Sequence, residues 1–251
     1  MKILVISQYF YPENFRINDL CIGLKELGHS VSVLTAKPNY PKGHFNEGYN
    51  FFNKSIDDYN GIKVFRSPII PRGNGSGFRL FINYTSFVFF GILRLLFINE
   101  KFDKIFVYAP SPITVGYIGA VASWKFKAKP YLWVHDLWPE SVKDAGGINN
   151  KFILYLIDLM TRSIYSFYEK ILVQSPFFKE YLRNQFVNQS KVIYYPYYAE
   201  KFYKIVNPKA EIKSLYGNGL NLLFAGNIGV AQSFDTIVEA ARILKGRLDN
   251  F

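Results

Sequence analysis

The sequence predicts a doubly wound α/β fold, a parallel sheet with helices packed on both faces. Three observations predict it. Short runs of continuous apolar residues, beginning with Ile3-Leu4-Val5-Ile6, recur along the chain, as strands buried on both faces require. These runs alternate with longer segments whose apolar residues repeat every 3.6 positions, the mark of a helix with one buried face. Parallel neighbours joined through helices cross over in the right-handed sense, which places helices on both sides of the sheet.

Taken in order, residues 3–6 read as a buried strand. Residues 15–27 read as a helix, because Ile17, Leu20, Cys21, Leu24 and Leu27 share one face. Asn14 is its candidate N-cap and Gly28 its candidate C-cap residue. Residues 31–35 and 62–66 follow as strands. Between them lies a long aromatic and basic loop, residues 37–54, KPNYPKGHFNEGYNFFNK, of a length that is usually functional or mobile. A helix over 78–98, a strand over 104–108, a helix over 114–127 and a strand over 131–134 come next. A helix over 151–167, a strand over 171–173, a helix starting at Pro176 and a strand over 192–195 complete the set. Residues 197–219 break the rhythm with Pro208, Gly217 and Gly219. A new unit then begins, with a strand over 220–224, a turn over 225–229 and a helix over 234–244. A lone unit of this kind cannot bury a sheet face. The expected organisation is a first domain over 1–200, a linker over 201–219, and the truncated start of a second domain over 220–251.

Composition narrows the function. Apolar residues at 49% and charged residues at 20% exclude a disordered chain. A net charge of +11 suits an anionic partner. Aromatic residues at 18% hint at contact with lipid, bases or sugar rings. A single cysteine excludes an internal disulfide and any multi-cysteine zinc site. The opening apolar run is too short for a signal peptide and leads into Ser7 and Gln8, so a cytoplasmic protein is expected. Residues 78–98 have the ~20-residue length of a membrane span, but Arg79, Asn83 and Arg94 interrupt them. Each arginine near a bilayer centre costs roughly 2.5–3.5 kcal/mol, which disfavours a span and leaves a buried core helix or an interfacial helix.

In a parallel sheet, ligands bind beyond the carboxyl ends of the strands. The loop after the first strand carries Glu13, Asn14 and Arg16 to a helix start, where backbone N–H groups attract an anion. Pro12-Glu13-Asn14 also fits ordinary helix-start chemistry. The strand ending at Val134 runs into His135-Asp136-Leu137-Trp138-Pro139-Glu140. There His135 is placed to orient a substrate hydroxyl or share a proton, and Asp136 to fix its tautomer or to serve as an N-cap. The rival reading makes His135 a hydrogen-bonded strand-end residue and Trp138 a core aromatic. His29, His44 and Cys21 read as structural. In the second unit, Gly226-Asn227-Ile228-Gly229 lets backbone approach a phosphate, or is a simple strand-to-helix turn. No HExxH, P-loop, GxSxG or GxGxxG pattern occurs, which removes the peptidase, P-loop NTPase, hydrolase and ordinary dinucleotide-binding readings.

These residues resemble the retaining glycosyltransferases of family four, which have the GT-B fold. The likeness is greatest to the bacterial subgroup that adds amino-fucose-type sugars in surface polysaccharide assembly. It rests on ISQYFYPENFRINDLCIGLKELGHSVSVLTAKPNYPKG, WVHDLWPES, ILVQSPFFKEYL, YYPYYAEKFY and LLFAGNIGVAQSFDTIVEAA. The resemblance implies two Rossmann-like domains facing across a cleft, with a nucleotide-sugar donor on the second and an acceptor on the first. It implies transfer to a polyprenyl-diphosphate-linked acceptor, such as an O-antigen or capsule precursor, at the inner face of the cytoplasmic membrane. No cofactor or metal is implied.

By the same resemblance His135, with Asp136, falls at the catalytic strand end beside the donor sugar. Gly226, Asn227, Gly229 and Gln232 fall near the donor diphosphate, and Glu13, Asn14 and Arg16 on the acceptor side. Two departures stand out. Asn227 and Gln232 occupy positions where relatives carry Arg and Lys, and no two glutamates have the Glu-x7-Glu spacing. The expectation is therefore a fragment that is inactive alone, or a non-catalytic membrane-surface or partner-binding module derived from such an enzyme. Nucleic-acid binding is not expected, because the basic residues are spread through the chain rather than clustered.

Overall fold

The computed structural model describes residues 1–144, 146–200, 203–207, 209–215, 221–226, 228 and 232–247, with the backbone alone for 210 and 213. The chain divides into two units, Met1–Tyr198 and Ala199–Phe251.

The first unit contains β1 (Lys2–Ile6), α1 (Arg16–Glu26), β2 (Ser30–Ala36), β3 (Ile56–Tyr59), β4 (Ile62–Ser67) and α2 (Gly77–Leu96). It continues with β5 (Lys104–Ala109), α3 (Val115–Phe126), β6 (Lys129–Val134), α4 (Glu140–Asp144), α5 (Lys151–Ser166), β7 (Lys170–Val173), α6 (Pro176–Asn184) and β8 (Val192–Tyr194). The eight strands form one sheet in the order β3-β4-β2-β1-β5-β6-β7-β8. Every pairing is parallel except β3 with β4. The strand order reverses direction at β1, so the carboxyl ends of β1 and β5 flank a switch point where ligands bind in such sheets.

Alternate strand residues feed two cores. Val5, Val33, Val64 and Trp133 pack on one face with Ile17 and Cys21 of α1. Leu4, Ile6, Val107, Leu132 and Val173 pack on the other with Phe87 of α2, Ile118 of α3, Ile164 of α5 and Leu182 of α6. The doubly wound α/β sheet expected from the apolar runs is thus present.

Local chemistry sets several element ends. Gly28 adopts φ +84° after α1, its N–H reaches Lys25 O and the N–H of His29 reaches Leu24 O. That pair of bonds is a Schellman stop, and it bears out Gly28 as the capping glycine. Asn14 does not cap α1: Phe15 holds the N-cap position without a side-chain bond, while Asn14 is exposed. The capping side chains that do form belong to Asn150 for α5 and Ser175 for α6.

Helix α2 resolves the expectation for residues 78–98. Its inner face is core, with Asn83, Ser86, Phe87, Gly91 and Leu95 buried. Asn83 is no liability there, because Gln8 donates to its Oδ1 (2.8 Å) and its Nδ2 donates to Ile70 O (2.6 Å). The outer face is apolar and exposed at Phe78, Phe81, Phe89, Leu93 and Leu96. By length and composition alone the helix could cross a membrane, yet it packs on β2, β4 and α3.

The second unit contains α7 (Ala210–Leu215) and α8 (Phe234–Lys245). The expected linker thus holds a short helix. Of the strand expected over 220–224, the described residues 221–224 are irregular and exposed. Among the described residues of this unit no second strand is present with which to build a ladder.

Candidate functional site

The carboxyl end of β6 builds the chemically densest point of the first unit. His135 extends the ladder by donating its backbone N–H to Ala109 O (3.1 Å), and Gln174 Nε2 donates to His135 O (3.0 Å). The imidazole is buried between Tyr108 and Trp133, with ring centroids 4.4 Å from each. Its Nδ1 hydrogen-bonds the Tyr197 hydroxyl. Its Nε2 is buried and has no partner among the described residues. Burial, helped by the nearby Arg16 cation, lowers the imidazole pKa to about 3, so the ring is neutral near pH 7.

Asp136 takes a different role from the one its sequence position offers. Successive strand residues point to opposite faces, and the Nδ1 contact of His135 goes to Tyr197 rather than to Asp136. Asp136 bonds Ser111, and burial raises its carboxyl pKa against that bond. Tyr197 is the partner of His135 that sequence reasoning missed. The signal lay in its place, just beyond the carboxyl end of the last strand.

The loop after β1 splits its three candidates. Glu13 is buried and turned inward. Its Oε1 accepts from the N–H groups of Asn39 (2.8 Å) and Tyr40 (2.7 Å), and its Oε2 from that of Phe10 (3.3 Å). It thus pins the loop after β2 to the loop after β1. Burial lifts its pKa to about 7 against those hydrogen bonds. Asn14 faces solvent. Arg16, in contrast, reaches the site. Its guanidinium lies over the Tyr197 ring, 4.7 Å from the centroid, and Nη1 donates to Tyr198 O. Tyr198 in turn donates to Asp19 Oδ2 (3.0 Å). The structure therefore joins Arg16 to His135 through Tyr197 and leaves Glu13 and Asn14 out of that group.

A neutral imidazole, with one buried nitrogen lacking a partner among the described residues, thus stands at the strand ends beside the Arg16 cation. The model of the glycosyl transferase 4-like domain matches residues 14–197. The chain belongs to this family. No curated protein matches the chain in sequence. Among solved structures it is similar to sucrose-phosphate synthase from Thermosynechococcus elongatus, with a TM-score of 0.53, 15% identity and coverage of 78% of this chain and 47% of that one. It is also similar to TcCGT1 in complex with UDP, with a TM-score of 0.50, 13% identity and coverage of 85% and 54%. A third is Phytolacca americana UGT2, with a TM-score of 0.50, 11% identity and the same coverage. At these identities the likeness concerns the fold, and the chain spans about half the length of each of these structures.

The glycosyl transferase 4-like region contains His135, Asp136, Asn14 and Arg16 and begins one residue after Glu13. The remaining candidates lie beyond it. Gly226 and Gln232 are exposed, and Phe224 stacks edge-on against Phe234, centroids 4.8 Å apart. Asn227 and Gly229 lie outside the described residues. Among the described residues, no three His, Cys, Asp or Glu side chains sit close enough to hold a metal ion.

One buried charge in the glycosyl transferase 4-like region has no use in this site. Lys37, just past β2, is fully buried and its Nζ has no hydrogen-bond partner among the described residues. Burial and the cations of Arg66 and Arg94 push its ammonium pKa down to about 8. An unpartnered buried polar group costs ~1–3 kcal/mol. Lys37→Met keeps the volume and removes the charge, so it should raise the denaturant midpoint by an equivalent of ~1–3 kcal/mol with an unchanged m-value. A lower midpoint would mean that Lys37 holds a bonded place in the fold.

Proposed function

We propose that this chain is the acceptor-side part of a retaining glycosyltransferase. It moves a sugar, an N-acetylated amino sugar, from a nucleotide-diphosphate donor to a polyprenyl-diphosphate-linked acceptor at the inner face of the cytoplasmic membrane. The observation that carries the reading is His135: a neutral imidazole with a free buried nitrogen at the carboxyl end of β6, inside a glycosyl transferase 4-like region. Departure of a nucleoside diphosphate builds negative charge on oxygen. Fixed donors in a water-poor cleft stabilise such charge without reorganising, and Arg16 adds a cation beside the same ring. The net charge of +11 and the exposed aromatic face of α2 supply the two types of group, cationic and apolar, that a lipid diphosphate needs. The resemblance assigns the donor side to a second domain, so the first unit is expected to bind the acceptor.

That same face of α2 favours a second reading, a membrane-surface module without catalysis. Vesicle flotation separates the two. The chain is mixed with anionic vesicles that carry, or lack, a short polyprenyl-diphosphate sugar. The glycosyltransferase reading expects the acceptor lipid to increase capture several-fold, and Arg16→Ala to remove the increment. Equal capture by both kinds of vesicle would leave only the surface module.

A further inference from the structure

The His135 ring has one nitrogen bonded and one bare, and the bond is made by a residue from the far end of the unit. Tyr197 follows β8 and returns across the sheet ends to reach Nδ1. Its position is held from the other side. Arg16 covers the Tyr197 ring and bonds Tyr198 O, while Tyr198 Oη bonds Asp19 on the same helix. Arg16 and Asp19 lie three residues apart on α1 and so share a face. The contact with His135 is therefore a fixed feature of the unit rather than a chance approach of a surface tyrosine.

Two tautomers are open to a neutral imidazole, and its hydrogen bonds decide between them. If Nδ1 carried the proton, it would donate to the phenol oxygen. The phenol proton would then have no acceptor among the described residues, and Nε2 would be a buried lone pair with nothing to accept. If Nε2 carries the proton, the phenol donates to Nδ1, and the group left without a partner among the described residues is the buried Nε2–H, a donor that a ligand oxygen would satisfy. Burial keeps the Tyr197 proton in place, with its pKa pushed up to about 12. The guanidinium over the ring polarises the phenol toward donation.

We propose that Tyr197 is a positioning residue that locks His135 in the Nε2–H tautomer, so that His135 offers its ligand a hydrogen-bond donor and not a base. The ligand atom it fits is an oxygen lone pair: a sugar hydroxyl, a carbonyl or a phosphate oxygen. As a statement about sugar transfer this rests on the function proposed above, whereas the tautomer itself does not.

The test is a long-range proton–nitrogen NMR spectrum of the full chain labelled at histidine. Only three histidines contribute, and a His29→Gln, His44→Gln double variant isolates His135. The expected result is a protonated Nε2 and an unprotonated Nδ1 whose resonance is shifted by an accepted hydrogen bond. Tyr197→Phe keeps the ring and should erase that shift and mix the tautomers. A protonated Nδ1 in the wild-type chain, or an unchanged spectrum in Tyr197→Phe, would overturn the proposal. The wild-type spectrum decides the tautomer even if the variant folds poorly. A locked tautomer in a chain that ignores the polyprenyl-diphosphate sugar would count against the sugar-transfer reading and leave the tautomer standing.

Discussion

Gly119→Ala should destabilise the chain by about 3 kcal/mol, although alanine is the better helix former. Gly119 lies on the buried face of α3. A Cβ there would sit 2.2 Å from Tyr168 Oη and 2.3 Å from Val107 Cγ2. Neither neighbour can retreat cheaply. Val107 belongs to β5, next to the central strand β1, and Tyr168 is 1% exposed with its hydroxyl bonded to Gly116 O (2.7 Å). Overpacking of this kind costs ~1–3 kcal/mol. Driving the Tyr168 hydroxyl off its acceptor adds the ~1–3 kcal/mol of a buried unpaired polar group. Against this, the helix gains ~1 kcal/mol from replacing glycine. In a unit of this size the net should lower Tm by roughly 6–12 °C. Gly23→Ala in α1 is the control of opposite sign. Nothing lies within 4 Å of a Cβ at Gly23, so the helix gain of ~0.5–1 kcal/mol should appear as added stability. If both variants moved Tm in the same direction, α3 would not be packed on β5 through glycine contacts.

Parallel strands were legible because burial on both faces removes any need for polar alternation, and a run such as Ile3-Leu4-Val5-Ile6 then declares itself. The edge strand β3 was not. Ile56-Asp57-Asp58-Tyr59 carries two carboxylates and fails every apolar test. It forms because an edge strand has one face free for charge, and because Asp57 pairs with Arg66 at 3.2 Å. The overlooked signal was its turn. Asn60 and Gly61 take φ 51° and 74°, the left-handed pair that a two-residue hairpin demands.

The site was legible in the same uneven way. His135 could be found because its place at a strand end is a local property of sequence. Its partner could not, since Tyr197 is 62 residues away and reaches the ring only after the chain has folded back onto α1. Glu13 shows the reverse case. Its neighbours Pro12 and Asn14 suggest a helix start or a cleft loop. Its actual bonds go to the N–H groups of Asn39 and Tyr40, 26 and 27 residues on, and no local pattern announces them. Arg16 was legible as a charge but not as the clamp on Tyr197.

His135 by itself should make the fold less stable on acidification than a freely titrating histidine would. Its pKa is about 3 in the fold against ~6.5 when the chain is unfolded. Between those values the unfolded chain binds more protons, so stability rises with pH across this window and falls on acidification. At pH 4.5 the unfolded imidazole is almost fully protonated and the folded one almost fully neutral, which removes ~2–3 kcal/mol relative to pH 7.5. Glu13 slopes the other way. Its pKa of about 7 in the fold exceeds the ~4.3 of a free glutamate, so its contribution is fullest in acid and is lost as pH rises through 7. The two must therefore be separated by difference. His135→Gln retains Glu13, so the gap in unfolding free energy between wild type and variant should shrink by ~2–3 kcal/mol from pH 7.5 to 4.5. A gap that stays constant across that range would mean that His135 titrates freely. A freely titrating His135 would in turn not be the neutral, buried ring on which both the donor geometry at Nε2 and the hydrogen bond from Tyr197 depend.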